Sequence, residues 1–200
     1  LSTQDVRAAA DILAPVYEAT QGHDGYVSIE VSPMLAHDVD GTIAEAKHLF
    51  NTLGRPNVMI KVPATPEGVT AVTELIAAGI NINATLIFSP DNYEQIAHAY
   101  IAGLQRRAAQ GQPLERIASV ASFFVSRVDT MVDRLLEARL QQAAGDPATQ
   151  ARIKPLLGQT AIANAKIAYQ RFKRIFAAEP FLSLQQREAR VQRQRPLWAS

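Results

Sequence analysis

Short apolar stretches alternate with longer amphipathic stretches along the whole 200-residue chain. The short stretches are rich in Val, Ile and Phe, which are typical of strands, whereas the longer ones repeat apolar residues at helical spacing. Pro or Gly lies at many boundaries, as at Pro66 and Gly79 around one helix. The pattern predicts strands over residues 26–31, 58–62, 83–88, 117–124 and 196–200, and helices over 2–19, 41–54, 65–78, 89–109, 126–144, 159–178 and 182–192.

The repeated order of strand and helix predicts successive βαβ units and therefore a parallel sheet. Two α/β architectures meet this description, a doubly wound sheet and a (β/α)8 TIM barrel. A doubly wound nucleotide-binding sheet carries a Gly-rich phosphate loop after an early strand, and the sequence contains neither GxGxxG nor GxxxxGK(S/T). The barrel is therefore the predicted fold.

The five predicted strands are too few to close an eight-stranded barrel. The chain begins at Leu1 next to a predicted helix, and its last strand reaches Ser200 without a following turn. We expect residues 1–200 to form a single barrel domain that is truncated at both ends, as an internal segment of a longer protein.

Four of the predicted strands have one apolar face and one face with polar residues. Successive side chains of a strand point to opposite sides, so we expect the apolar faces to pack under helices and the others to share the barrel interior. Interiors that serve only stability are filled by Val, Ile and Leu. The polar interior set predicts chemistry instead: Glu30, Lys61, Asn83, Thr85 and Ser122. Ser28 lies on the same face of its strand as Glu30.

Regular alternation makes a specific prediction for the third and fourth strands. It places Ile87 on the interior face with Thr85, and it places Leu86 and Phe88 under the helices. In the fourth strand the same rule places Phe124 on the interior face.

Lys61 lies in an otherwise apolar run, residues 57–65, which is typical of a strand buried on both faces. Burial disfavours the charged form of an amine, and a neutral amine is a nucleophile that can form a Schiff base with a carbonyl substrate. The alternatives are a side chain that extends to solvent and a side chain that pairs with a buried carboxylate. The polar residues on the neighbouring strands favour the nucleophile.

Composition argues against several functional classes. The net charge of +1 provides no broad field for nucleic acid, and we expect the basic stretch 187–195 to be a solvated helix face. The sequence has no cysteine, no apolar stretch of membrane length and no segment typical of a signal peptide, which predicts a cytoplasmic protein that does not bind membranes. The histidines show no ligand spacing with carboxylates, so no metal is expected.

Four long segments carry a family resemblance: 24–33 (DGYVSIEVSP), 55–65 (RPNVMIKVPAT), 79–89 (GININATLIFS) and 119–129 (SVASFFVSRVD). In this order they resemble transaldolase, a (β/α)8 barrel of the class I aldolase type. The final segment 195–200 (RPLWAS) is similar to the start of a later strand of that family. The resemblance therefore covers almost the whole chain.

The resemblance implies a transferase of the non-oxidative pentose phosphate pathway, in carbohydrate metabolism. The implied partners are sugar phosphates: sedoheptulose 7-phosphate and fructose 6-phosphate as donors of a dihydroxyacetone unit, and glyceraldehyde 3-phosphate and erythrose 4-phosphate as acceptors. No cofactor is implied, because the lysine itself supplies the electron sink. The oligomeric state stays open.

The resemblance also implies roles for interior residues. Lys61 matches the Schiff-base lysine, and Glu30, expected to be buried beside it, matches the residue that transfers protons through an ordered water. Thr85 matches the hydroxyl that helps to hold this water. Asn83 matches an amide that hydrogen-bonds substrate hydroxyls, and Ser122 matches a hydroxyl near the bound carbon chain.

Two further residues match substrate-binding positions at the barrel mouth. Arg127, just beyond the fourth strand, matches a phosphate-binding arginine, whose planar fork suits a terminal phosphate. The alternative for this residue is a surface ion pair with Asp129 or Asp133. Ser200 is expected in the active-site mouth, although the matching motif stops there.

The family's cleavage base, a carboxylate on its first strand, and an asparagine on its second strand have no counterpart in residues 1–200. We therefore expect little or no transaldolase activity from this chain alone. Two alternatives stay open. One is a fructose 6-phosphate aldolase of the same superfamily, which releases dihydroxyacetone, and the other is a non-catalytic sugar-phosphate-binding fragment. The long helical region 126–192 and the VASFFVSR motif favour transaldolase over the aldolase.

Overall fold

The computed structural model describes residues 2–200, which form one parallel sheet with its helices. The five strands lie side by side in chain order, and every neighbouring pair is parallel. Their bounds differ from the predicted ones by at most two residues, so the predicted strands are confirmed. The strands are β1 (Val27–Glu30), β2 (Val58–Pro63), β3 (Ile82–Ile87), β4 (Ser119–Phe124) and β5 (Arg195–Ala199).

Helices precede and connect the strands, as the amphipathic stretches predicted. The α-helices are α1 (Thr3–Ala19), α2 (Val39–Leu53), α3 (Pro66–Ala77), α4 (Pro90–Ala109), α5 (Ser126–Gln142), α6 (Pro147–Ile153), α7 (Thr160–Ile175) and α8 (Phe181–Arg187). Short 3₁₀ turns occur at Pro33–Leu35 and Lys154–Leu156. Among residues 2–200, no helix combines the length and the apolar character that crossing a membrane requires.

Side-chain caps fix the points where β2 and β3 pass into their helices. The hydroxyl of Thr65 accepts a hydrogen bond from the backbone N–H of Gly68 at 3.0 Å, and that of Ser89 accepts one from Asn92 at 3.1 Å. A proline follows each cap, where its fixed φ suits the first helical turn and its missing N–H is not needed. The carboxyl ends of both strands are thereby held in place.

The predicted last helix is wrong over its second half. Helix α8 ends at Arg187, and residues 188–194 run as a loop into β5. The backbone of Glu188 is extended, and its carboxylate accepts hydrogen bonds from the Leu114 N–H at 3.0 Å. Because this contact ties the chain to the segment before β4, the basic stretch is mostly a loop rather than a helix face.

The two faces of the sheet pack against different partners. The helix-side residues of β2 are fully buried in the main core: Val58, Ile60 and Val62. A separate small cluster lies on the opposite face: Tyr26, Met59, Ala118 and Val120. The alternation predicted for β2 is therefore confirmed, and a thin apolar layer closes the amino end of the interior.

The sheet is strongly curved. The Nδ2 atom of Asn83 on β3 donates to the hydroxyl of Ser28 on β1 at 3.2 Å, although β2 lies between them. Nε2 of Gln192, in the loop before β5, donates to the carbonyl of Gly22, in the turn before β1, at 2.9 Å. Strands in a sheet lie about 4.8 Å apart, so β1 and β5 of a flat sheet would be separated by about 19 Å. The contacts indicate an arc of a barrel, consistent with an incomplete (β/α)8 fold.

Replacing either of two buried tyrosines on α4 by phenylalanine is expected to change the stability of the protein in opposite directions. The hydroxyl of Tyr100 donates to the carbonyl of Gln192 at 2.8 Å, and burial raises the pKa of this tyrosine, so it stays protonated. Tyr100→Phe leaves that carbonyl unpaired. We expect a loss of about 1–2 kcal/mol in the free energy of unfolding, measured by urea denaturation.

Tyr93→Phe is the matched control for this substitution. The Tyr93 hydroxyl is buried without a hydrogen-bond partner among residues 2–200. Since its removal relieves an unpaired polar group, we expect the unfolding free energy to stay the same or to rise. Equal destabilisation by both substitutions would show that ring packing, not the hydrogen bond, determines the effect.

Candidate active site

Lys61 and Glu30 form an ion pair on the interior face of the sheet. The two residues lie opposite each other in the register of β2 and β1, and Nζ of Lys61 is 3.2 Å from Oε2 of Glu30. An amine and a proton acceptor are thus in direct contact. One alternative considered for Lys61 was pairing with a buried carboxylate; a carboxylate does pair with it, but this partner is partly exposed.

The ion pair is more accessible than the sequence predicted. The side chain of Lys61 is 31% exposed and that of Glu30 is 44% exposed, whereas Ile60 and Val62 are fully buried. The prediction of a buried Glu30 is therefore wrong. The prediction of a strand buried on both faces is confirmed for β2, in which every residue except Lys61 is buried. Glu30 is the last residue of β1, and within residues 2–200 this strand forms one edge of the sheet. An accessible pair can meet a substrate that enters from the carboxyl ends of the strands.

A hydrogen-bonded row of polar side chains lies beside the ion pair. The hydroxyl of Ser122 on β4 donates to Oδ1 of Asn83 at 2.8 Å, and Nδ2 of Asn83 donates to the hydroxyl of Ser28 at 3.2 Å. Asn83 lies opposite Lys61 in the register of β3 and β2. Asn83 is 8% exposed and Ser122 is 7% exposed, so the amide is oriented by bonds that water does not easily replace.

Thr85 belongs to the same face by register, because it pairs with Pro63, two residues after Lys61 on β2. The alternation of β3 breaks beyond Thr85. The pairing with β4 shifts between Ala84 and Ile87, and Ile87 is fully buried in the main core instead of facing the interior. Leu86 is 38% exposed instead of packing under the helices. Both predictions are wrong because a β-bulge inserts one residue into the strand.

Aromatic rings line the carboxyl end of the interior. Phe88, predicted to lie under the helices, is 39% exposed, and its ring centre lies 5.2 Å from that of Phe124. The guanidinium of Arg127 lies 4.8 Å from the Phe124 ring. Ser28 and Phe124 were not predicted as site residues. Alternation had placed both on the interior face, and this is the signal from which they could have been proposed as candidate site residues.

Arg127 lies at one end of a shallow groove along the N-terminal part of α5. The groove has a volume of about 310 Å³ and is lined by Ser126, Arg127, Thr130, Met131 and Arg134. The predicted alternative, an ion pair with Asp129 or Asp133, is not formed among residues 2–200. The Asp133 carboxylate instead accepts a hydrogen bond from the Gly158 N–H at 3.0 Å, and Oδ1 of Asp129 is buried without a partner.

The structure does not join Ser200 to the other candidate residues. It lies one residue beyond β5, is exposed, and makes no hydrogen bond to the interior polar set in the part of the chain that the structure describes. In residues 2–200, no cluster of three or more His, Asp or Glu side chains is arranged to hold a metal ion.

Comparison with known proteins agrees with this geometry. The family model described as "Transaldolase/Fructose-6-phosphate aldolase" matches residues 1–192. A transaldolase of Trichodesmium erythraeum is 49% identical over 197 residues, which cover 98% of this chain and 51% of the relative. "Transaldolase 1" of Streptomyces avermitilis is 53% identical over 200 residues, covering 100% of this chain and 50% of the relative.

A transaldolase of Saccharopolyspora erythraea is 48% identical over 200 residues, again with 100% of this chain and 50% of the relative covered. The chain thus spans about half the length of the curated relatives it matches. With a family model over nearly all its residues and a (β/α)-type sheet that presents a lysine–carboxylate pair, the chain belongs to the transaldolase/fructose-6-phosphate aldolase family.

Proposed function

We propose that the protein is a transaldolase that transfers a dihydroxyacetone unit between sugar phosphates through a Schiff base on Lys61. The donor is sedoheptulose 7-phosphate or fructose 6-phosphate, and the acceptor is glyceraldehyde 3-phosphate or erythrose 4-phosphate. The observation that carries this proposal is the 3.2 Å contact between Nζ of Lys61 and the Glu30 carboxylate on the accessible interior face. The names of the relatives support the same reaction.

The contact between the two groups suits the proton transfers of imine formation. The ammonium of Lys61 gives a proton to Glu30, and the neutral amine then adds to the ketose carbonyl carbon. Glu30, now a carboxylic acid, returns this proton to the carbinolamine hydroxyl, which leaves as water. The resulting iminium can accept the electron pair of the neighbouring carbon–carbon bond once a base takes the proton of the adjoining hydroxyl. The enamine that remains adds to the acceptor aldehyde, and water releases the product.

Neighbouring residues have chemistry that suits the rest of this site. The amide of Asn83, oriented by Ser28 and Ser122, has a second N–H with which we propose it binds a ketose hydroxyl. Ser122 is proposed to lie near the bound carbon chain. Thr85, on the same face as Lys61, is proposed to hold the water through which protons reach Glu30. Ser200 is kept only as a proposed residue of the site mouth.

Arg127 is the proposed phosphate-binding group. Its guanidinium lies against the Phe124 ring at the carboxyl end of β4 and is not engaged by Asp133. A permanently charged planar fork at this end of a barrel suits a terminal phosphate. Arg134, two turns along α5 in the same groove, adds positive charge to the approach.

Arg127→Gln is expected to weaken sugar-phosphate binding without preventing imine formation. Charge-assisted hydrogen bonds are worth about 1.5–3 kcal/mol, so the half-saturating concentration of fructose 6-phosphate in imine formation should rise about 10- to 100-fold. Arg139→Gln on the same helix, where the side chain lines a different groove, is the control. A rise of the same size with dihydroxyacetone, which has no phosphate, would contradict the role.

The proposed function is tested by trapping the imine. The chain is incubated with fructose 6-phosphate and sodium borohydride, digested, and mapped by mass spectrometry. We expect one reduced adduct, on Lys61. An unmodified Lys61, with or without adducts on exposed lysines such as Lys47, would leave only a sugar-phosphate-binding function.

The fructose 6-phosphate aldolase activity named in the family description is the second candidate. It shares the imine and differs in releasing dihydroxyacetone without an acceptor. Turnover of a protein of the relatives' length that depends on an added aldose favours transaldolase, and turnover without one favours the aldolase. The cytoplasmic location expected from the cysteine-free sequence stays a prediction.

A further inference from the structure

Two aromatic rings at the carboxyl end of the interior lie apart from both core clusters. Among residues 2–200, neither Phe88 nor Phe124 belongs to the main core or to the small cluster on the opposite face. Their ring centres lie 5.2 Å apart with the planes tilted by 33°, and Phe88 is 39% exposed. An aromatic ring contributes most when apolar groups cover it. The exposed surface of Phe88 is therefore available to a ligand that enters the interior.

The bulge in β3 determines which face of the sheet Phe88 occupies. The additional residue is Leu86, whose φ is 61°, and Ile87 after it is fully buried in the main core. The next residue points to the opposite side, so Phe88 shares the interior face with Asn83 and Thr85. From the middle of β3 to its carboxyl end, this face carries an amide, a hydroxyl and an aromatic ring.

Phe88 lies between the proposed nucleophile and the proposed phosphate-binding group. Lys61 is on β2, Arg127 follows β4, and β3 lies between these two strands. The Arg127 guanidinium is 4.8 Å from the centre of the Phe124 ring, which Phe88 contacts. Because neighbouring strands are about 4.8 Å apart, β2 and β4 are separated by about 10 Å. A ligand that reaches from the amine to the guanidinium therefore crosses the carboxyl end of β3, where Phe88 lies.

The part of a ketose phosphate that spans this distance is its chain of hydroxylated carbons. The hydroxyl groups suit the amide and hydroxyl side chains of the interior, whereas the C–H groups are apolar and suit the face of an aromatic ring. We propose that Phe88 is a specificity-determining residue whose ring packs against these C–H groups. It thereby favours ketoses long enough to reach from Lys61 to Arg127. The inference rests on the proposed function.

Three ligands separate the contribution of the carbon chain from those of the carbonyl and the phosphate. Dihydroxyacetone has only the carbonyl end, fructose adds the carbon chain, and fructose 6-phosphate adds the chain and the phosphate. For each ligand, the half-saturating concentration is measured for the borohydride-trapped adduct at Lys61. Each variant is compared with the unmodified chain on the same ligand, so the ring-closed fraction of the sugar cancels.

Phe88→Leu removes the aromatic face but keeps an apolar side chain. We expect it to raise the half-saturating concentration about three- to tenfold for fructose and for fructose 6-phosphate, and to leave that for dihydroxyacetone unchanged. Phe88→Tyr keeps the ring and should stay within about twofold of the unmodified chain on all three ligands. Arg127→Gln should show a different pattern, with a rise for fructose 6-phosphate and none for fructose.

Tyr169→Leu is the matched control. Tyr169 is 44% exposed, and its ring centre lies 5.7 Å from that of Phe172 on the same helix, α7, so an exposed ring is lost from a comparable aromatic pair outside the interior. We expect no change for any of the three ligands. Circular dichroism and urea denaturation confirm that each variant is folded.

The pattern across the ligands decides the inference. An equal rise for dihydroxyacetone in Phe88→Leu would overturn it, because the ring would then act on the imine site itself. A rise for fructose 6-phosphate alone would also overturn it, since Phe88 would then act through the phosphate site, and so would unchanged values for all three ligands.

Direct binding keeps this test separate from that of the proposed function. A missing Lys61 adduct in the unmodified chain would refute the Schiff-base function. Isothermal titration calorimetry with fructose and fructose 6-phosphate then tests Phe88 by itself. Weaker binding of both sugars by Phe88→Leu would support the contact with the carbon chain, and affinities equal to those of the unmodified chain would overturn it.

Discussion

Lys61→Arg should abolish the borohydride-trapped adduct with fructose 6-phosphate and leave the fold intact. A guanidinium stays protonated at any accessible pH and cannot add to a carbonyl carbon, so the electron sink is never formed. We expect the rate of imine formation to fall on the order of 10⁴-fold or more, to the level of random surface lysines. Arginine keeps the positive charge beside Glu30, 3.2 Å away in the unmodified chain, which separates lost chemistry from a lost ion pair.

Lys47→Arg on α2 is the control for this substitution, because that lysine is exposed and remote from the interior polar set. A slow adduct on another lysine of Lys61→Arg, detected by mass spectrometry, would not affect the conclusion. An adduct that forms at the unmodified rate in Lys61→Arg would contradict it, since another amine would then be the nucleophile.

The strands and the interior face were predictable because both follow from local geometry. A short run of branched apolar residues is extended, and side-chain alternation then assigns its faces without knowledge of the neighbours. Lys61, Asn83 and Ser122 were found on one face for this reason. Their hydrogen-bond partners depend on inter-strand register, which no single strand encodes.

The bulge at Leu86 was not predictable for the same physical reason. Residues 82–87 alternate acceptably by themselves, and the extra residue becomes visible only in the pairing of β3 with β4. The exposure of Glu30 depends likewise on its position at the end of an edge strand. The prediction of a helix over 182–192 was wrong beyond Arg187 because the Glu188 carboxylate binds the backbone N–H of Leu114, 74 residues away in sequence.

Glu30→Gln should slow imine formation strongly without changing where the adduct forms. Glutamine keeps the shape of the side chain and can still contact Lys61, but it can neither take the proton of the ammonium nor return one to the leaving hydroxyl. General acid–base catalysis contributes about 10²- to 10⁴-fold, so we expect a decrease of that size in the rate of trapping. The stability should change by at most about 1 kcal/mol, because the pair is partly exposed.

Glu67→Gln is the matched control, since Glu67 contacts His37 at 3.3 Å on the exposed start of α3 and should leave trapping unchanged. The time course distinguishes the roles proposed for Lys61 and Glu30. Glu30→Gln should reach the same Lys61 adduct slowly, whereas Lys61→Arg should not form it.

A rescue experiment tests the role of Glu30 in proton transfer directly. Added formate should partly restore the rate in Glu30→Ala, where a small carboxylic acid fits the space of the missing side chain. Trapping in Glu30→Gln at the unmodified rate would assign the proton transfers to solvent and would reduce Glu30 to an electrostatic partner of the lysine.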